Sequence, residues 1–353
     1  MKTPRLTIFS AVWDPIEGGA EKQLREVAEL MSIGAWRVTV VAGISSDLPR
    51  TRFSPAGVRV LGIPPKDGIS DGQTPRSWDL AFRMVNVGLS TRPDVVLGSL
   101  VSNASYAAMT TGRLLGVPRA LRLGGRRLDA SPRSKVEIAK LRFLVRSSNA
   151  IVANARHLLA DIGMFRPRPG TRITVIPNGV AQPARILPRP EPPPRVLYYT
   201  NGGPKKNDEA FVSLVRMRPG TSFRAVGRTD HLPSLHNLDK RGWVRNLSGD
   251  FGWSNVVVNT SLTEGSPNFC LQALASGRFV VGFDNAGVLE LASQWPDWVF
   301  SVPINNVSDL ASTIEFVVGQ ARQELPEIPS MGDVSEIWDR ELRALVLRGS
   351  HSR

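Results

Sequence analysis

Residues 187–194 read Leu187-Pro188-Arg189-Pro190-Glu191-Pro192-Pro193-Pro194, five prolines in eight positions. Proline fixes φ and offers no N–H, so this stretch suits neither a helix interior nor a central strand and marks a stiff linker between two folding units. The same pattern runs on both sides of it: short apolar, β-rich segments alternate with stretches of helical period. Ahead of the linker, strands are expected at 6–12, 38–42, 58–63, 94–99, 120–123, 150–153 and 173–176, with helices at 20–32, 77–89, 103–115, 133–146 and 155–162. Behind it, strands are expected at 195–200, 223–226, 255–259, 279–283 and 298–302, with helices at 208–216, 268–276, 287–293 and 307–320. Such alternation builds a parallel sheet covered by helices on both faces. The expected fold is therefore α/β, with two doubly wound parallel-sheet (Rossmann-like) domains over 1–186 and 195–332. A closing helix and tail follow over 333–353, where Ile337, Trp338, Leu342 and Leu345 recur at helical spacing.

The length of 353 residues, with 42% hydrophobic and 21% charged positions, suits two globular domains and excludes a disordered or fibrous chain. No apolar run approaches the 18 residues that span a bilayer, and the opening MKTPRLTIFSAV is too short for a secretory signal, so a cytoplasmic protein is expected. Cys270 is the single cysteine, which excludes an intrachain disulfide and a cysteine metal cluster. His157, His231, His236 and His351 show no ligand spacing, so no metal site is expected.

Charge is distributed unevenly. Residues 1–189 hold 28 Lys and Arg against 13 Asp and Glu, whereas 190–353 hold 16 against 18, so the first half is +15 and the second −2. An anionic partner for the first half follows, and peripheral contact with an anionic membrane is one expectation, through Arg113, Arg119, Arg133, Lys135, Lys140, Arg142 and Arg146. Nucleic acid is disfavoured, because the basic residues carry no nucleic-acid module signature.

Three turns have the chemistry of an anion site. After the first strand, Gly18 and Gly19 open a helix whose free N–H groups and positive dipole end suit phosphate. At the end of another first-half strand, Arg122-Leu123-Gly124-Gly125-Arg126-Arg127 is a basic glycine turn, and Arg122, Arg126 and Arg127 are candidates for acceptor or phosphate contact. In the second half, Thr263-Glu264-Gly265-Ser266-Pro267-Asn268-Phe269-Cys270-Leu271-Gln272 follows a strand and starts a helix, with Asn268 expected as N-cap. The amides of Asn268 and Phe269 can hold a diphosphate, Gln272 lies one turn along the same face, and Glu264 places a carboxylate beside the ligand.

Glu264 to Gly277 resembles the donor-site motif of the retaining family-four glycosyltransferases of the GT-B fold. Four more segments agree in order: 18–21, 175–180 (Val-Ile-Pro-Asn-Gly-Val), 204–207 (Pro-Lys-Lys-Asn) and 282–290. The resemblance implies two Rossmann-like domains facing across a cleft, acceptor on the first and nucleotide diphosphate sugar on the second, with no cofactor besides that donor substrate. It implies that Glu264 lies at the reaction centre, that Gln272 meets the ribose, and that a basic pair near Pro204 takes the place of a metal. Lys206 is one member of that pair; the other is aligned with Asn201, and Lys205 or Arg228 can substitute for it. The loop at Trp243 and Val244 resembles the segment that holds the base, and Ser266 and Pro267 complete the donor-binding set. The expected activity is transfer of a sugar to an acceptor hydroxyl with retention and without metal. The acceptor, whether glycan, lipid carrier, small molecule or protein, is not legible. Alternatives that stay open are a weak or inactive homologue, a basic anion-binding protein, and a nucleotide-sugar epimerase on the same fold.

Overall fold

The structure is a computed structural model in which residues 3–14, 19–45, 48–64, 78–124, 134–160, 162–183, 185–190, 193–320 and 324–350 are described. The chain divides into two compact units, one of Met1–Gly179 with Met331–Arg353 and one of Val180–Ser330. The divisions fall at Val180, ahead of the proline-rich stretch, and at Met331.

The first unit holds an eight-stranded sheet of β1 (Arg5–Asp14), β2 (Arg37–Ile44), β3 (Thr51–Phe53), β4 (Arg59–Ile63), β5 (Val95–Ser99), β6 (Arg119–Leu123), β7 (Ala150–Ala153) and β8 (Arg172–Val175). Their spatial order is β3-β4-β2-β1-β5-β6-β7-β8, and every pairing is parallel except that of β3 with β4. Helices α1 (Gly19–Ile33), α2 (Trp78–Ser90), α3 (Asn103–Leu114) and α4 (Lys135–Ser147) connect the strands. Because both sheet faces are covered, strands such as Val95–Ser99 are buried along their whole length and read as continuous apolar runs. Helix α4 begins at a capping box in which Ser134 and Glu137 satisfy each other's backbone N–H groups, two residues beyond the expected start. The helix expected at 155–162 is two short 3-10 turns, Arg156–Leu159 and Ile162–Phe165.

The second unit holds β9 (Arg195–Thr200), β10 (Ser222–Gly227), β11 (Leu238–Gly242), β12 (Val256–Asn259), β13 (Phe279–Phe283) and β14 (Val299–Val302), all parallel, in the order β11-β10-β9-β12-β13-β14. Its helices are α5 (Asp208–Met217), α6 (Ser248–Trp253), α7 (Asn268–Ala275), α8 (Ala286–Gln294) and α9 (Val307–Val318). Strand β11, of sequence Leu-Asp-Lys-Arg-Gly, is not among the expected strands; it is an edge strand, so polar residues are tolerated there. The last helix, α10 (Met331–Ser350), buries Met331, Val334, Trp338, Leu342 and Leu345 in the core of the first unit with Leu24, Val27 and Ala28 of α1.

Candidate functional site

Strand order in the second unit proceeds outward in both directions from the neighbouring strands β9 and β12. That reversal opens a crevice at the strands' carboxyl ends, the place where ligands bind in doubly wound sheets. Two loops meet there. Beyond β9, Pro204–Lys206 forms one 3-10 turn and Asn207 turns left-handed at φ 54° to enter α5. Beyond β12 comes the Glu264 loop. Two bonds to backbone carbonyls stitch the loops together: Leu262 N–H donates to the Lys205 carbonyl at 2.9 Å, and the Thr260 side-chain Oγ1 donates to the Lys206 carbonyl at 2.8 Å.

This stitching brings Lys206 Nζ to 2.6 Å from Glu264 Oε1, with both side chains largely buried. The ammonium also lies over the Tyr199 ring, 5.4 Å from its centroid. Burial pushes the Lys206 pKa down, but the Glu264 carboxylate outweighs it, and the net position is above the ordinary 10.5. The pair thus offers a fixed cation and a fixed carboxylate in one partly desolvated pocket. Glycine makes the approach feasible: a Cβ on Gly287, in the first turn of α8, would stand 2.8 Å from Glu264 Cβ and 3.0 Å from the Gly265 carbonyl oxygen. Asn285 holds the same loop by donating to the Ser261 carbonyl at 2.8 Å while capping α8 through Val288 N–H.

Below Lys206 lies a polar cluster that sequence reasoning missed. Asp208 accepts from the Tyr198 hydroxyl at 2.6 Å and from Thr200 Oγ1 at 3.1 Å, and its Oδ2 lies 2.7 Å from His231 Nε2. The Tyr198 hydroxyl is also 3.1 Å from the Lys206 carbonyl, and burial together with Asp208 raises its pKa well above the ordinary value. The available signal was positional: Tyr198, Tyr199 and Thr200 close a central strand just ahead of a glycine turn. Replacing Asp208 by Ala removes the charged acceptor that Tyr198, Thr200 and His231 share and leaves the Tyr198 hydroxyl to the Lys206 carbonyl and Thr260 Oγ1, so a stability loss of about 1–3 kcal/mol is expected in urea unfolding.

The other sequence-predicted donor residues gather around these loops. Pro267, with extended dihedrals and no side-chain capping bond, is the N-cap of α7 instead of Asn268, which is the first helical residue. Phe269 packs against Tyr199 and Phe251 at ring distances of 5.4 and 5.3 Å. Ser266 and Gln272 are half-buried on the loop and on α7. Trp243 is 57% exposed and meets Tyr199 edge-on at 6.5 Å, while Val244 packs on the core. Asn201 is exposed, and its Oδ1 accepts from Gly203 N–H at 3.1 Å. Lys205 is exposed; Arg228 is half-buried, with its Cβ 3.7 Å from where a Cβ on Gly202 would lie. Cys270 is buried, its thiol pushed up to about 12 by burial, which makes it a core residue rather than a nucleophile.

In the first unit Gly19 is the first residue of α1; Gly18, Arg126 and Arg127 lie outside the described residues. Arg122, a candidate for acceptor or phosphate contact, lies in the strand expected at 120–123. It is 4% exposed within β6 and donates to the Ala20 carbonyl at 3.1 Å, in the first turn of α1. Burial lowers its pKa to about 10, with Glu21 acting in the opposite direction. Among the described residues no group of three or more His, Cys, Asp or Glu converges, and no helix is long and apolar enough to cross a membrane.

Two family models match the chain, a glycosyl transferase 4-like domain over residues 18–179 and glycosyl transferases group 1 over residues 208–320. Among proteins of curated function, none matches. Sucrose-phosphate synthase from Thermosynechococcus elongatus superposes with a TM-score of 0.75 at 14% identity, covering 99% of this chain and 98% of that one. HepE from Anabaena, in complex with UDP-glucose, gives 0.66 at 14% identity over 99% and 98%. The α,α-trehalose 6-phosphate synthase from Burkholderia multivorans gives 0.67 at 12% identity over 100% and 98%. The two-sheet architecture is that of the GT-B fold.

Proposed function

The chain belongs to the glycosyltransferases of the GT-B fold that join a 4-like domain to a group 1 domain, and from that premise we propose that it transfers a sugar from a nucleotide diphosphate sugar to an acceptor hydroxyl, with retention at the anomeric carbon and without a metal. The observation that carries this reading is the Lys206–Glu264 pair, 2.6 Å apart at the switch point of the second sheet. Lys206 neutralises the departing diphosphate, a task that depends on a cation preorganised where charge develops. Arg228 supplies the second positive charge in place of Asn201, whose side chain is bound to its own loop. The amides of Asn268 and Phe269 receive the phosphates at the start of α7, Gln272 meets the ribose, and Trp243 with Val244 borders the base. Glu264 lies beside the transferring sugar.

HepE is held with UDP-glucose, and a trehalose-6-phosphate protein from E. coli with UDP-2-fluoro glucose, which makes uridine donors the first to test. UDP at a hundred times its Kd stabilises a protein by about 2.7 kcal/mol. For a unit the size of Val180–Ser330 this is a rise in Tm of about 5–10 °C. No shift with any nucleoside diphosphate overturns the assignment. Product NMR tests retention, and undiminished transfer in EDTA tests metal independence. The protein acts in the cytoplasm, and the cationic excess of its first half suits peripheral contact with an anionic membrane.

A further inference from the structure

Helices α2, α3 and α4 of the first unit carry an aromatic face that its fold does not consume. The Trp78, Tyr106 and Phe143 rings form a chain across the three helices, with centroids 5.3 and 5.9 Å apart. Trp78 is 53% exposed, Phe82 67%, Val136 61% and Phe143 41%. The core is served by other positions: α4 buries Leu141, Leu144 and Val145, and α2 buries Leu80, Ala81 and Met84. Val136, Lys140, Phe143 and Arg146 stand at i, i+4, i+7 and i+10 on α4 and are all exposed. Single exposed apolar residues are ordinary, but a contiguous aromatic patch marks a contact surface.

The charge on that surface identifies its partner. Helix α4 carries Lys135, Lys140, Arg142 and Arg146 against Glu137 alone, a net of +3. Lys140 Nζ sits 5.3 Å from the Trp78 ring centroid, so a cation is placed in the middle of the aromatic face. Protein–protein interfaces exclude Lys from their apolar centre. Aromatic rings interleaved with Lys and Arg are instead the composition of surfaces that rest at the headgroup level of anionic bilayers. Arg119, grouped with these residues on sequence, faces elsewhere: it donates to the Ser147 and Val117 carbonyls. Arg133 lies outside the described residues.

We propose that the α2–α3–α4 face is a docking surface for an anionic lipid bilayer, with Phe82, Val136 and the Trp78–Tyr106–Phe143 chain entering the interface and Lys135, Lys140 and Arg146 pairing with headgroups. This specifies the surface behind the membrane contact put forward above and rests on that reading. It is independent of the donor site, because none of these residues belongs to the second unit.

The test is sedimentation of the full chain with vesicles of phosphatidylcholine, with and without 30% phosphatidylglycerol. The expected result is binding to the anionic vesicles only, weakening as salt rises. The K135Q/K140Q/R146Q variant should lose about fivefold in partition per cation, about a hundredfold in total. Because Trp78 and Phe143 also pack against Tyr106, the apolar contribution is tested with F82S/V136S, which alters exposed side chains and should reduce binding at least tenfold. Both variants should keep the wild-type Tm shift with UDP, so loss of lipid binding is separable from failure of the donor site. Absence of binding, equal binding to neutral vesicles, or unchanged binding in both variants overturns the proposal. So does a stable dimer that F82S/V136S dissolves, since the face would then be covered by a second copy.

Discussion

Glu264→Ala and Lys206→Ala are each expected to lower kcat roughly 10²–10³-fold, with UDP binding kept in Glu264→Ala and weakened in Lys206→Ala, because each removes a charge that is preorganised where the transition state needs it. The two side chains are one unit, joined at 2.6 Å, so the double variant should cost far less than the sum of the singles. Glu264→Ala leaves the Lys206 ammonium largely buried without its counter-ion, and a stability loss of about 1–3 kcal/mol accompanies the loss of activity. Glu264→Gln separates charge from shape. In the native protein Lys206 titrates above 10.5, so its contribution to stability is fully present below that pH and is lost as pH rises through the raised value. Without the carboxylate, burial alone places the folded pKa below the unfolded one. The sign then inverts, and Glu264→Gln should gain stability relative to the wild type as pH rises toward 10.5. Undiminished kcat in Glu264→Ala would remove the site assignment.

Gly287→Ala should separate stability from activity. Alanine favours a helix by about 1 kcal/mol over glycine, which offsets part of the strain of inserting a methyl, itself about 1–3 kcal/mol. The added carbon would meet Glu264 Cβ at 2.8 Å and the carbonyl oxygens of Gly265 and Glu264 at 3.0 and 3.1 Å. Those are backbone contacts or close to the backbone, so the loop itself must retreat. A displacement of about 1 Å in a positioning group can cost up to about 10²-fold in rate. A small change in Tm with a fall in kcat of at least tenfold is expected; wild-type turnover would show that the approach of α8 does not set the position of Glu264.

Much of the architecture was legible because buried parallel strands write themselves as unbroken apolar runs. Val256–Asn259, Phe279–Phe283 and Val95–Ser99 are of this kind, and the Glu264 loop followed from its place after one of them. What escaped notice depended on neighbours distant in sequence. Strand β11 is polar because it lies at an edge, and nothing in Leu-Asp-Lys-Arg-Gly announces pairing. Asp208 reads as an ordinary acid in a first helical turn until Tyr198, Thr200 and His231 are seen around it. Arg122 was grouped with Arg126 and Arg127 as a phosphate candidate, and nothing in the sequence shows that strand β6 buries its side chain against the Ala20 carbonyl of α1. Asn201 could be aligned with a basic residue, but only the structure shows that its Oδ1 accepts from Gly203 N–H within its own turn.

The terminal helix has a consequence for how the polypeptide acquires its structure. Since Met331, Val334, Trp338, Leu342 and Leu345 complete the hydrophobic interior begun by α1, the amino-terminal body is the last to be finished during synthesis. The second unit, Val180–Ser330, is an insertion within it and can close while the ribosome still holds the final segment. Until that segment emerges, the face of α1 that carries Leu24, Val27 and Ala28 has no partner helix, so a nascent chain halted at Ser330 would carry a finished second unit and an unfinished first one.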